Sequence, residues 1–369
     1  MKKIYLCAII IAIVILGIFV FYSEYGYKIN LGIPKYETPK VYSKNVSTSE
    51  LDTIWCGAFQ IAWNELKDYA GGKVEFIDTE SFLANNLNEN EFTKEMISEN
   101  NYYVKKGKAS NKLKEEINKE LKEKFDINNG AKILDGQNLD NSNGIVIYSM
   151  LNKKFTFLEK FDELEKGTFE LKDGTIEKVK VFGIDEESDS KLHDNVEVLY
   201  WDSKNVDNTG LISNECAVKL KTKENEEVIL YKTDKEGSFD ELYSELQNLS
   251  MNFVENKEFR EHYDQLKIPY INVDINISYD ELCNKIIKNT EDEYIEAAIQ
   301  NIKFNLNSEG GLVLSEAAVI TDSLSAARLD SRLFLFNKPF VIFVKENGKE
   351  KPYFAMKIND SEYLQINEE

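Results

Sequence analysis

The chain has 369 residues, 42% of them hydrophobic and 12% aromatic, enough to bury a substantial core in one large or two ordinary domains. A formal net charge of −20 argues against a nucleic-acid partner and against holding anionic lipid through a basic patch. Two histidines, His193 and His262, and four scattered cysteines, Cys7, Cys56, Cys216 and Cys283, offer no metal-ligand spacing and no disulfide framework. No metal or cofactor is therefore expected.

Ile4–Tyr22 is an unbroken apolar run of 19 residues behind Lys2 and Lys3. That length suits a bilayer span, and the lysines predict the N-terminus inside and the remainder outside the cell. A cleaved signal peptide is the alternative, although YSEYGYKIN shows no small-x-small cleavage site. Residues 1–23 are thus expected to be a single-pass anchor or signal, with 24–48 a Pro-containing tether and 49–369 the extracellular domain. Ser49-x-x-Asp52 can cap a helix continued by Ile54, Ala58, Ile61, Ala62, Glu65 and Leu66, and Ala70-Gly71-Gly72 stops it. Trp55-Cys56-Gly57 can be read as a thiol nucleophile at a helix start, but without a companion base signature it reads first as a buried structural cysteine.

Asn85–Ser98 is polar and irregular or weakly helical, and Tyr102-Tyr103-Val104 a short strand. Leu113, Ile117, Leu121 and Phe125 recur every four residues and predict an amphipathic surface helix. Asp135–Gly144 is rich in Asp and Asn, which turn chemistry explains better than calcium. Short alternating runs from Val179 to Tyr231 predict antiparallel strands. Phe239–Leu249 reads as a helix with Leu242, Leu246 and Leu249 on one side. Near the C-terminus, Leu333–Lys345 and Tyr353–Ile358 flank Asn347-Gly348 and predict a tight hairpin. Before it, every second residue from Ser315 to Ala327 is small or uncharged, and the intervening set carries every charge. Such a segment could enter a sheet without burying a charge, although its composition reads first as a loop.

These C-terminal residues resemble a family. LFNKPFVIFVKENGKEKPYFAMKI looks like the C-terminal strand pair of serpins, and LSEAAVIT like the hinge that opens their reactive loop. ILDGQNLDNSNGIVIYSMLNKKFTFLEKF is similar to the family's long central strand, with Ser149 where members have Asn and Phe157 where they usually have Trp. LKIPYINVDINISYDELCNKII resembles a strand followed by a helix carrying Tyr279, Leu282 and Ile286. IEAAIQNIKFNLNSEGG resembles the strand leading into the hinge, with Gln300 where His is usual.

The resemblance implies an α+β fold with a large mixed central sheet, smaller sheets, surrounding helices and an exposed reactive loop near the C-terminus. It implies inhibition of a serine or cysteine protease by suicide trapping, with no catalytic group of the chain's own. Leu314 stands twenty-two residues before Phe336, as the family's hinge glycine would, which puts the reactive bond at Arg328–Leu329. Arginine there implies a trypsin-like protease, whose pocket carboxylate receives a guanidinium. The implied hinge is Gly310, Gly311, Leu314, Ser315, Glu316, Ala317 and Ala318, and the sheet-opening switch Ser149, Phe157 and Gln300. Counting from Gln300 selects Gly310 as hinge glycine instead, which leaves four extra residues at the loop's base. The segment before Leu113 is also too short for the family's N-terminal half, so helices and an edge strand are expected to be missing. Bulky Leu312–Leu314 favours a second reading, a non-inhibitory surface interaction protein. A third reading is a hydrolase built on Cys56.

Overall fold

The computed structural model describes residues 52–77, 79–128, 134, 139, 143–254, 257–311 and 331–367. All of them belong to one unit, Thr38–Glu369. Ile4–Tyr22 and the tether lie outside the described residues. Among the described residues, no helix is long and apolar enough to cross a membrane.

The fold is α+β, built on three principal sheets. The largest is antiparallel and six-stranded, in the order β1 (Thr53–Cys56), β16 (Phe354–Ile358), β15 (Phe340–Glu346), β9 (Glu226–Lys232), β8 (Cys216–Lys221), β7 (Val196–Trp201). A lateral sheet runs β14 (Arg332–Leu335), β10 (Asp264–Pro269), β6 (Ile176–Ile184), β5 (Asp162–Glu170). The expected mixed sheet has four strands, in the order β11 (Ile271–Ser278), β12 (Tyr294–Leu306), β3 (Gly144–Leu151), β2 (Tyr102–Lys108). Its outer pairs are antiparallel, whereas β12 and β3 run parallel down the middle. We call that parallel contact the seam.

Four α-helices occur among the described residues: α1 (Gly57–Ala70), α2 (Phe82–Glu89), α3 (Asn111–Phe125) and α4 (Phe239–Asn252). Helix α3 buries Leu113, Ile117 and Leu121, one turn apart, and Ser110 Oγ accepts from the Leu113 amide at 3.1 Å to cap it. Its apolar stripe packs on Val146, Tyr148, Met150, Ala297 and Ile299, one face of the mixed sheet. Ile145, Ile147, Leu151, Ala298 and Ile302 point the other way into the main core. The seam is therefore dry on both sides, which is why β3 and β12 read as apolar runs rather than as alternation.

Several sequence expectations need correction. Thr53–Cys56 is a strand, and the helix begins at Gly57 with Cys56 as N-cap. The β-branched Thr53 and Ile54 and the aromatic Trp55 pair with β16 on the edge of the six-stranded sheet instead. Tyr279, Leu282 and Ile286 do not share a helix: Asp280–Leu282 is a single 3₁₀ turn, and Asn284 takes φ +57° immediately after it. Ile286 is exposed. The segment from Leu333 to Lys345 is split at Asn337-Lys338-Pro339, with β14 leaving for the lateral sheet. The β15–β16 hairpin closes through residues 347–353 rather than a two-residue turn, since Val344 pairs with Phe354.

Candidate functional site: the seam and the two feet of the loop

The seam pairs Gln300 with Ser149 at its middle. Both side chains are buried and face the main core. The Gln300 Oε1 accepts from the Tyr279 hydroxyl at 2.6 Å, and its Nε2 donates to the Cys56 carbonyl at 3.3 Å. The Tyr279 ring lies 4.1 Å from that of Phe59 in α1. One side chain thus ties the seam to the start of α1 and to the 3₁₀ turn. Ser149 Oγ, directly across, is buried without a hydrogen-bond partner. Burial pushes the Cys56 thiol up to about 12, even though Gln300 contacts it, and raises the Tyr279 hydroxyl well above its ordinary value. The site is neutral throughout the physiological range. A buried thiol held in its protonated form is a poor nucleophile, which counts against the hydrolase reading of Cys56.

Phe157, grouped with these two from sequence, sits elsewhere, beyond the C-terminal ends of β3 and β12. It is fully buried in an aromatic cluster, 4.9 Å from Phe161 and 6.1 Å from Phe155 between ring centroids. Its amide donates to the Glu309 carbonyl at 2.9 Å, and the Phe161 amide donates to the Ser308 carbonyl at 2.9 Å. These bonds fix the turn Asn307–Gly310, in which the chain leaves β12 and doubles back.

Gly310 and Gly311 form the two-residue strand β13, paired antiparallel with β4 (Phe155–Thr156). Gly310 has φ +144°, and a Cβ there would lie 2.1 Å from the Phe155 carbonyl oxygen. A Cβ on Gly311 would lie 2.6 Å from the Phe155 ring. Only glycine fits this close approach. Leu314, Ser315, Glu316, Ala317, Ala318, Arg328 and Leu329 lie outside the described residues.

After the loop the described residues begin again at Ser331, and Arg332 opens β14. The Arg332 guanidinium is buried against Asp264, with Nε to Oδ1 at 3.0 Å and a second contact at 2.5 Å. It also donates to the Glu258 carbonyl at 2.8 Å. Sequence reading gave Cys56 as a nucleophile candidate or a buried structural cysteine and Tyr279 as a helix residue, neither as a partner of Gln300, and it missed this ion pair. The resemblance marked the neighbourhood of Tyr279, and the Arg332–Asp264 pair spans 68 residues with no local signature.

With this topology the chain has a serpin-like fold. Among solved structures it is similar to mouse protein Z-dependent protease inhibitor, at 13% identity and TM-score 0.52 over 85% of this chain and 91% of that one. It is likewise similar to human thyroxine-binding globulin in complex with thyroxine, at 12% identity and TM-score 0.51 over 85% and 93%. At these identities the likeness shows the fold alone. No protein-family model and no curated protein sequence matches the chain.

Proposed function

We propose that the protein inhibits a trypsin-like protease by inserting its cleaved loop into the seam. The protease attacks Arg328, an acyl-enzyme forms, and the freed loop enters the sheet before hydrolysis completes. The chain supplies the bait and the trap and no catalytic group. The apolar run Ile4–Tyr22 would hold it at the outer face of a membrane, in reach of secreted proteases.

The observation that carries this reading is a register. Carried on one residue at a time, the Gly311–Phe155 pair would bring Ala317 opposite Ser149. Carried on from the Asn307–Gly310 bridge, the hairpin with β12 would bring the same Ala317 opposite Gln300. Gln300 and Ser149 are already partners across the seam. Two independent extensions therefore agree on a single slot, and the strand they describe is antiparallel to both neighbours. Directly opposed residues share a face. Ser315, Ala317, Val319 and Thr321 would meet the main core, and Glu316, Ala318, Ile320 and Asp322 the α3 side. In that register the small, uncharged set would be the one facing inward.

Mixing the protein with a trypsin-like protease tests the reading. An SDS-resistant complex should appear, with the released C-terminal peptide beginning at Leu329. Arg328→Glu should abolish it while changing stability by at most about 0.5 kcal/mol, because an exposed loop charge carries little packing energy. Cleavage without any covalent complex would favour a non-inhibitory protein of the same fold.

A further inference from the structure

Just beyond the C-terminal end of β3, a lysine is packed among two carboxylates and a carboxamide. The side chain of Lys153 is only 16% exposed. Its ammonium lies 2.5 Å from Glu226 Oε1 and donates to Asn101 Oδ1 at 3.1 Å. Asn101 ends the 3₁₀ turn Glu99–Asn101 ahead of β2 and is itself buried. Its Nδ2 donates to Glu346 Oε1 at 2.7 Å. Ser98 holds that carboxylate too, through its amide at 2.7 Å and its hydroxyl at 2.8 Å. Glu226 opens β9 and Glu346 closes β15, directly opposite each other in the six-stranded sheet. An ammonium only donates and a carboxylate only accepts, so the carboxamide must turn its oxygen to Lys153 and its nitrogen to Glu346.

A buried ion pair is stable when its charges balance and its remaining lone pairs are bonded. Here two buried carboxylates share one lysine, and Glu226 Oε2 has no hydrogen-bond partner among the described residues. The Tyr353 hydroxyl, buried within electrostatic reach of both carboxylates, has none either. Burial raises the Glu226 carboxyl above its ordinary value even beside Lys153, and Glu346 adds to the rise. A carboxylate that favours its proton thus touches a lysine that touches an amide.

We infer that the folded chain condenses Lys153 with Asn101 into an isopeptide bond, with Glu226 as the base that frees the amine and Glu346 steering the leaving nitrogen. Lys153 passes a proton to Glu226 and becomes a free amine. The amine attacks the Asn101 carboxamide carbon, which bears the oxygen that Lys153 already touches, and holding the two groups in contact removes much of the entropic barrier. One proton moves from the new nitrogen to Nδ2. The Cγ–Nδ2 bond then breaks, an Nζ–Cγ amide remains, and ammonia leaves, taking back the proton on Glu226 to depart as ammonium. Neither oxidant nor second substrate is consumed. The bond spans 52 residues in sequence and ties β2 to the end of β3, leaving β12 untouched. Cys56, Cys216 and Cys283 are free thiols, so the bond is a covalent staple where these residues supply none. Such a cross-link stabilises by restricting the unfolded chain, and it is independent of the loop-insertion reading.

Peptide mapping of the full-length chain, stored folded at neutral pH, tests the bond. A tryptic digest of wild type should contain a branched peptide that joins Asn101 to Lys153 and weighs less than its two arms by one ammonia. Lys153→Arg should never form it. Glu226→Gln should keep the circular dichroism of wild type and form it at least about a hundredfold more slowly, the effect of losing a positioned base. Two separate arms from wild type, with Lys153 open to trypsin, would overturn the inference and leave an ordinary ion pair. Loss of ammonia confined to the Asn101 peptide, as in a cyclic imide, would overturn it as well. Branching at the wild-type rate in folded Glu226→Gln would overturn the role of Glu226. If that variant does not fold, the branched peptide of wild type still decides whether the bond exists.

Discussion

Ala317 and Ala318 are adjacent, small and alike, yet in the proposed strand they would meet opposite surroundings. Ala317→Glu would set a carboxylate between Ser149 and Gln300, at a cost of several kcal/mol or of a raised pKa that keeps it neutral. The variant should turn from inhibitor into substrate, with less complex and more cleaved chain on a gel. Ala318→Glu faces the α3 side and should leave most of the complex intact. The opposite ranking would shift the register by one residue. Gln300 gives a second test. Its replacement by His would put a titratable ring in a dry site that disfavours the cation, so its folded pKa should lie below the ordinary value of about 6.5. Such a group contributes stability above its unfolded pKa and loses it as pH falls through the folded one. Relative to wild type, Gln300→His should therefore lose melting temperature between pH 7 and 5. A pH-independent difference would mean that the seam admits water. Ser149 and Gln300 were legible because family resemblance marks their positions. Tyr279 was legible only as a helical residue, since the backbone reversal at Asn284 has no periodic signal.

At the scale of elements, α1, α3 and α4 follow from helical spacing, with a stop signal read for α1, and the strands from alternation. The misreadings share a cause: tertiary pairing overrode local pattern. Trp55 and Cys56 satisfy a helix pattern, but their backbone is claimed by β16. Leu333–Leu335 continues the apolar run of β15 in sequence yet belongs to another sheet, because Pro339 interrupts the chain. The partners of β14, Asp264 for Arg332 and Lys232 for the Leu335 carbonyl, come from segments 68 and 103 residues away and could not be read locally. The element most sensitive to a single atom is β13. Gly310→Ala would drive a Cβ to 2.1 Å from the Phe155 carbonyl oxygen at an unfavourable positive φ. It should lower stability by more than about 1 kcal/mol in denaturant unfolding, and should slow complex formation relative to cleavage. An unchanged midpoint would show that the rung is dispensable.

At the scale of the molecule, the proposed reading makes the intact protein an incomplete sheet. Its four-stranded member is closed down the middle by a parallel contact that an antiparallel strand could split, replacing one ladder with two. Among the described residues, β2 is the outermost strand of that sheet. In intact cells, Lys28 onward should be accessible to protease added from outside, and mature chain beginning after Tyr22 in the medium would contradict an uncleaved anchor. The claim on which everything else depends is that cutting the loop completes the sheet. The most direct measurement is the melting temperature of the chain before and after cleavage at Arg328–Leu329, with the fragments kept together. Two new ladders and the burial of Ala317, Val319 and Thr321 should raise it by well over ten degrees, a shift that requires several kcal/mol in a domain of this size. An unchanged or lower melting temperature would contradict insertion and leave a serpin-like protein with another task.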